Sequence, residues 1–207
     1  MSQNTALAAM NAGSYFTANN LVTGVATAAA PTSFSDTAPF FTIQNNNQNQ
    51  GRSIYLDFIR GYVTATGAGG LSVALKLELD HITPTGGTLL VPVSSNTNDG
   101  ATSGAAIRLL PTGIAVTGNV RYPVGTQLAV PTQTALMGVY TEFYLKFGTD
   151  GMPQSTQLGT VAAGITRTTT PMPPVTIGPG WTLQVCHLIA SQSAASSWSI
   201  EFGYVEL

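Results

Sequence analysis

The sequence predicts an all-β protein: an antiparallel β-sandwich of about eight to ten strands behind an extended N-terminal arm. Three observations predict it. The 207 residues are 43% hydrophobic but only 8% charged, and the polar remainder is rich in Thr, Gly, Ser, Asn and Gln. Lys and Glu, the usual material of surface helices, are scarce, whereas Thr, Val, Ile and aromatics suit a pleated, half-buried surface. Apolar residues also recur with period two from Arg52 onward, and no helical stripe longer than a turn or two interrupts them.

Residues 1–50 form the expected arm, since no Lys or Arg occurs before Arg52 and the segment ends in "NNNQNQG" (Asn45–Gly51). It lacks the regular apolar face of a self-contained core. Isolated apolar residues in it, Leu7, Met10, Tyr15, Phe16, Leu21 and Val22, are candidate anchors for docking on a neighbour. "SQNTALAAMNAG" suits a short helix or coil, and "PFFTIQN" suits a first strand. Residues 51–207 are the expected sandwich domain.

Within that domain "SIYLDFIRGYVTATG" opens the alternation. "LSVALKLELDHI" follows, with Leu71, Val73, Leu75, Leu77 and Leu79 on one face and Ser72, Ala74, Lys76, Glu78 and Asp80 on the other. Further strands are expected at 88–93, 106–110, 113–118, 126–131 and 137–148, with prolines placing the shorter runs at edges or in loops. "WTLQVCHLIA" and "WSIEFGYVEL" form the closing pair, joined by "SQSAASS".

Several motifs invite a chemical reading. The lone Cys186 beside His187 suggests thiol catalysis, but adjacent residues of a strand leave on opposite faces. Cys186 is therefore expected to be an inert, buried small hydrophobe, and His187, between Val185 and Ile189, a hydrogen-bonded core residue. Glu78 and Asp80 share a face about 7 Å apart, as a glycosidase pair would. With Lys76 beside them, a solvated, charge-compensated strip is the expectation. "SNTNDG" fails as a calcium loop, since Ala106 stands where the bidentate acid is needed. "GLSVA" has no helix after Ser72 to make a nucleophile elbow.

Neither lysine follows a glycine-rich phosphate loop, and one Cys with two His makes no metal set. The expectation is a protein without cofactor or metal and without enzymatic activity. A formal charge of −2 gives no field to attract nucleic acid, and no apolar run approaches a membrane span. Without a leader pattern, synthesis in a cytoplasm is expected. Tyr140 and Tyr144 share a strand face with Glu142, and such a face suits either a subunit contact or a glycan platform.

A Pro-Gly turn running into a Trp-led strand (Pro179–Trp181), a short polar loop and an aromatic closing strand resembles the end of viral jelly-roll domains. The Thr/Asn/Ala/Gly-rich body behind a polar arm resembles virion proteins of tailed bacteriophages. The resemblance implies a jelly-roll-like structural protein in a virion, made in the host cytoplasm and often homotrimeric. An arm without cations argues against lining a genome, because each phosphate contact needs one. The implied role is a capsid decoration or cement protein bound to a major capsid protein or tail component. The alternative is a receptor- or host-glycan-binding module of a fibre or appendage.

Overall fold

The computed structural model describes residues 3–20, 25–26, 34–47, 50–65, 72–98, 101–117, 120, 128–129, 142–148, 158–161, 165–190 and 197–207. They form α1 (Gln3–Asn11), β1 (Tyr15–Asn19), β2 (Val25–Ala26), β3 (Phe41–Asn45), β4 (Ile54–Ala65), β5 (Ser72–Asp80), β6 (Thr88–Leu90), β7 (Val93–Ser94) and β8 (Ala105–Leu109). The rest are β9 (Leu128–Ala129), β10 (Glu142–Phe147), β11 (Leu158–Val161), β12 (Ile165–Met172), β13 (Thr176–Ile177), β14 (Thr182–Ala190) and β15 (Ser197–Glu206). The protein is all-β with two facing sheets, as the composition predicts. Among the described residues there are fifteen strands beside the expected eight to ten, and four of them, β2, β7, β9 and β13, are only two residues long.

The first sheet runs β11-β12-β10-β4-β15-β1-β7, with β13 also on β4 and β2 also on β15. The second runs β6-β8-β3-β14-β5-β9. Among the described residues pairing is antiparallel except between β10 and β12. The late strands slot beside early ones, β14 between β3 and β5 and β15 between β4 and β1. Sheet closure therefore waits on residues far apart in sequence.

Alternation puts Ile54, Leu56 and Ile59 of β4 and Trp198, Ile200, Phe202 and Tyr204 of β15 inside, against Phe41, Ile43, Leu75, Leu77, Leu183 and Val185 of the second sheet. Phe41 and Phe202 meet edge to face with ring centroids 4.7 Å apart, a favoured aromatic geometry. One irregularity changes what the outer face carries. Gly203 pairs with Phe58 and Tyr204 with Leu56, leaving Asp57 as an extra residue in β4. Such a bulge re-aims side chains, and Tyr15 of β1 reaches across Gly203 to donate its hydroxyl to Asp57 at 2.8 Å.

The expected arm is built into this fold. β1 pairs with β15 over five residues and with β7 on its other side, and β3 lies in the interior of the second sheet. Phe16 and Ala18 belong to the core, so residue 50 does not separate a tail from a domain. The period-two signal missed β1 because it spans only five residues, "YFTAN", inside a polar stretch. The strand expected at 113–118 is also replaced: Gly113 makes an isolated bridge to Thr85, and 114–117 run as irregular chain to Thr117.

Candidate functional site

β5 and β14 lie side by side with Glu78 opposite Gln184 and Lys76 opposite Cys186. These side chains point away from the inter-sheet core, where the sequence predicts a solvated strip. The structure corrects that expectation. Glu78, Asp80, Gln184, Cys186 and Thr182 are fully buried, and Lys76 is 9% exposed. The cause is coverage by chain segments that periodicity cannot reveal. Phe34 and Asp36, just before β3, lie over Lys76, and Thr117 donates its amide (2.9 Å) and its hydroxyl to Asp80.

The centre of this layer is a Lys76 ammonium held between two carboxylates, Asp36 and, at 2.9 Å, Glu78. Gln184 Nε2 donates to the other Glu78 oxygen at 2.9 Å. Taking charges out of water is costly unless they are paired and hydrogen-bonded. Burial raises Glu78 above the ordinary carboxyl range, opposed by Lys76. Burial alone would lower Lys76, yet its contacts with Asp36 and Glu78 hold it above its usual value. Asp80 keeps its charge against burial because the Thr117 and His81 donors hold it below the ordinary range.

One potential ligand atom from each of Asp36, Glu78 and Cys186 lies within 4.8 Å of the others. That set does not suit a metal, because the Lys76 ammonium already sits against both carboxylates and the thiol is pushed up to about 12, chiefly by burial. A neutral thiol is a poor metal ligand.

Two further networks take up acids. Glu206 accepts from Ser103, from the Gly104 amide at 3.0 Å and from Asn47 at 3.2 Å, tying β15 to the chain leading into β8. Asp57 receives Tyr15 and Lys146, so one carboxylate links β1, β4 and β10 across the first sheet. His187 differs: it is buried, meets the Phe40 ring at a centroid distance of 4.9 Å and a tilt of 49°, and neither ring nitrogen has a hydrogen-bond partner among the described residues. Burial lowers it to about 4. The expected hydrogen bond is missing because its neighbours on that face are apolar, Leu75 across on β5 and Phe40 beside it.

The anchor residues divide. Leu7 is 55% exposed on α1, while Met10 packs on Ala9, Tyr15 and Val205. Tyr15 and Phe16 are buried within this chain's own sheets, and Leu21, Val22 and Tyr140 lie outside the described residues. Tyr144 is partly exposed on the outer face of the first sheet and stacks on Phe58 at 5.7 Å and 23°. Arg60 pairs there with Glu201 at 3.4 Å.

Sequence reasoning missed a second exposed feature. Leu89, Val91 and Val93 are three of the six exposed large apolar side chains among the described residues. They follow the strap from β6, an edge of the second sheet, to β7, an edge of the first. With Thr17, Ala18, Asn19 and Leu90 they line a groove of about 490 Å³. The signal was present in "LLVPV", where Pro92 already marks a sheet edge.

No helix among the described residues is long and apolar enough to cross a membrane. No family model and no curated protein matches the chain. A structure of the infectious bursal disease virus Gx strain aligns with 94% of this chain at 14% identity and a TM-score of 0.10. The aligned region is 38% of that protein's chain, and a superposition so poor carries no argument.

Proposed function

We propose that the chain is a structural virion protein of the decoration or cement type, which works by docking on sister copies and other virion proteins rather than by catalysis. The observation that carries this reading is the apolar strip Leu89, Val91 and Val93 beside the groove. The acids Glu78, Asp80, Asp57 and Glu206 support it, each committed to hydrogen bonds within the fold. With few charges and a formal net charge of −2, copies repel one another little, and contiguous exposed apolar surface marks contact sites. The occupant that fits best is a second copy, as in a homotrimer, and the virion role rests on the style of the sequence.

Light scattering of the wild type and of a Val91→Asp, Val93→Asp double variant tests the reading. The wild type should have the mass of three chains, and the double variant, altered only at exposed positions, that of one. A wild type with the mass of one chain, or a double variant that assembles as well as the wild type, overturns it.

A second reading is favoured by the Phe58–Tyr144 stack with the Arg60–Glu201 pair on the outer face, because aromatic faces beside polar groups suit sugars. Glycan-array binding abolished by Tyr144→Ala would favour that reading, and no binding above background would remove it.

A further inference from the structure

We propose that Lys76 and Asp36 are the partners of a self-formed intramolecular amide bond, with Glu78 as the proton relay. The three groups that such a reaction needs are already in contact. The Lys76 nitrogen touches Asp36, the intended electrophile, and lies 2.9 Å from Glu78. Glu78 is fully buried and Lys76 nearly so, while the Asp36 side chain is 37% exposed. The reacting nitrogen and relay are thus shielded from bulk water, and the carbonyl side is open for a leaving water. Phe34 lies 5.9 Å from the ammonium and Gln184 holds the far oxygen of Glu78, so the approach is fixed from two sides. Groups held in contact react as a unimolecular system, which removes much of the entropic barrier.

The atoms balance without an outside reagent. Lys76 passes a proton to Glu78, whose burial favours the protonated carboxyl. Glu78 hands that proton to Asp36, whose carboxylate oxygen lies within 4.8 Å of its own, and the free amine attacks Cγ of the now neutral Asp36 carboxyl, forming the C–N bond. The nitrogen loses a second proton, and the C–O bond breaks with that oxygen leaving as water. Both nitrogen-derived protons depart with the water through Glu78, which ends in its starting state. Nothing is oxidised or reduced. The product replaces the buried Lys76 ammonium and the part-exposed Asp36 carboxylate by one neutral amide, removing the desolvation that the Lys76 charge bears. The bond fastens the turn before β3 covalently to the interior strand β5.

The Lys146–Asp57 contact supplies an internal comparison. There the acid's second partner is the Tyr15 hydroxyl, and burial, with the Asp57 contact, pushes that phenol above its ordinary value. Such a phenol is a poor proton acceptor, so this pair stays ionic.

Mass spectrometry of the denatured full chain decides. The wild type should be lighter than its sequence by one water, and trypsin should fail to cut after Lys76, giving a joined species of residues 1–52 and 61–108. Fragmentation should place the link between Asp36 and Lys76. Glu78→Gln, with the wild-type circular dichroism spectrum, should keep the full mass and be cut after Lys76. If that variant does not fold, the wild-type digest alone decides. A wild type of full mass with Lys76 cleaved overturns the proposal. A lost water without joined peptides overturns it too, since that is a succinimide, and a folded Glu78→Gln that links as completely as wild type removes Glu78 as the relay.

Discussion

Replacing Phe16 by Ala tests whether the N-terminal segment belongs to the fold. Phe16 is 2% exposed, lies in the inter-sheet core and stacks on Tyr204 with centroids 5.8 Å apart and planes 26° apart. Truncating a buried Phe costs about 3–5 kcal/mol, the sum of lost transfer energy and the cavity left behind. For a chain of this length each kcal/mol lowers the melting temperature by about 2–4 °C, so the melt should fall by roughly 6–20 °C. Urea unfolding followed by tryptophan fluorescence should give a lower midpoint with an unchanged slope, because the same surface is exposed on unfolding. Leu7→Ala, at an exposed position of the same segment, should stay within about 0.5 kcal/mol of wild type. A Phe16→Ala loss below about 1 kcal/mol, no larger than that of Leu7→Ala, would refute the placement of β1 in the core.

Three other outcomes follow from the same geometry. A Cβ at Gly203 would lie 2.3 Å from the Phe58 ring and 2.6 Å from the Tyr15 hydroxyl, so Gly203→Ala should destabilise by about 1–3 kcal/mol in urea titration. The Cys186 thiol, buried and pushed up to about 12, should react with a thiol reagent at the rate of global unfolding, and fast labelling of the native protein would contradict its burial. His187 is lowered to about 4 by burial, whereas an unfolded chain has it near 6.5. Between those values only the unfolded state takes up the proton. This contribution should be intact above about pH 6.5 and decline by ~3 kcal/mol toward pH 4, where it levels off. Subtracting the stability profile of His187→Leu from that of wild type isolates the decline, and parallel profiles would contradict it.

The two sheets were legible wherever one strand has a wet or polar face and an apolar one. Leu75 and Leu77 pointed to the core, and Trp181–Ala190 to a framework strand. The same rule misread the opposite face of β5, because Lys76, Glu78 and Asp80 look like solvent-facing residues until Asp36 and Thr117 cover them. Coverage by distant segments is a tertiary fact with no local period. β1 escaped for a related reason, since five residues are too few to establish a period and its partner, β15, lies some 190 residues away along the chain. The Asp57 bulge and the bare Gly203 that admits Tyr15 leave no pattern in a single sequence.

The sandwich is proposed to act by assembling with copies of itself. An electron-microscopic reconstruction of the purified protein at assembly concentration tests it most directly. The expected result is a three-fold particle in which Leu89, Val91 and Val93 of each copy are buried against a sister copy. Particles of a single chain, or an assembly that leaves those three side chains in solvent, would contradict it.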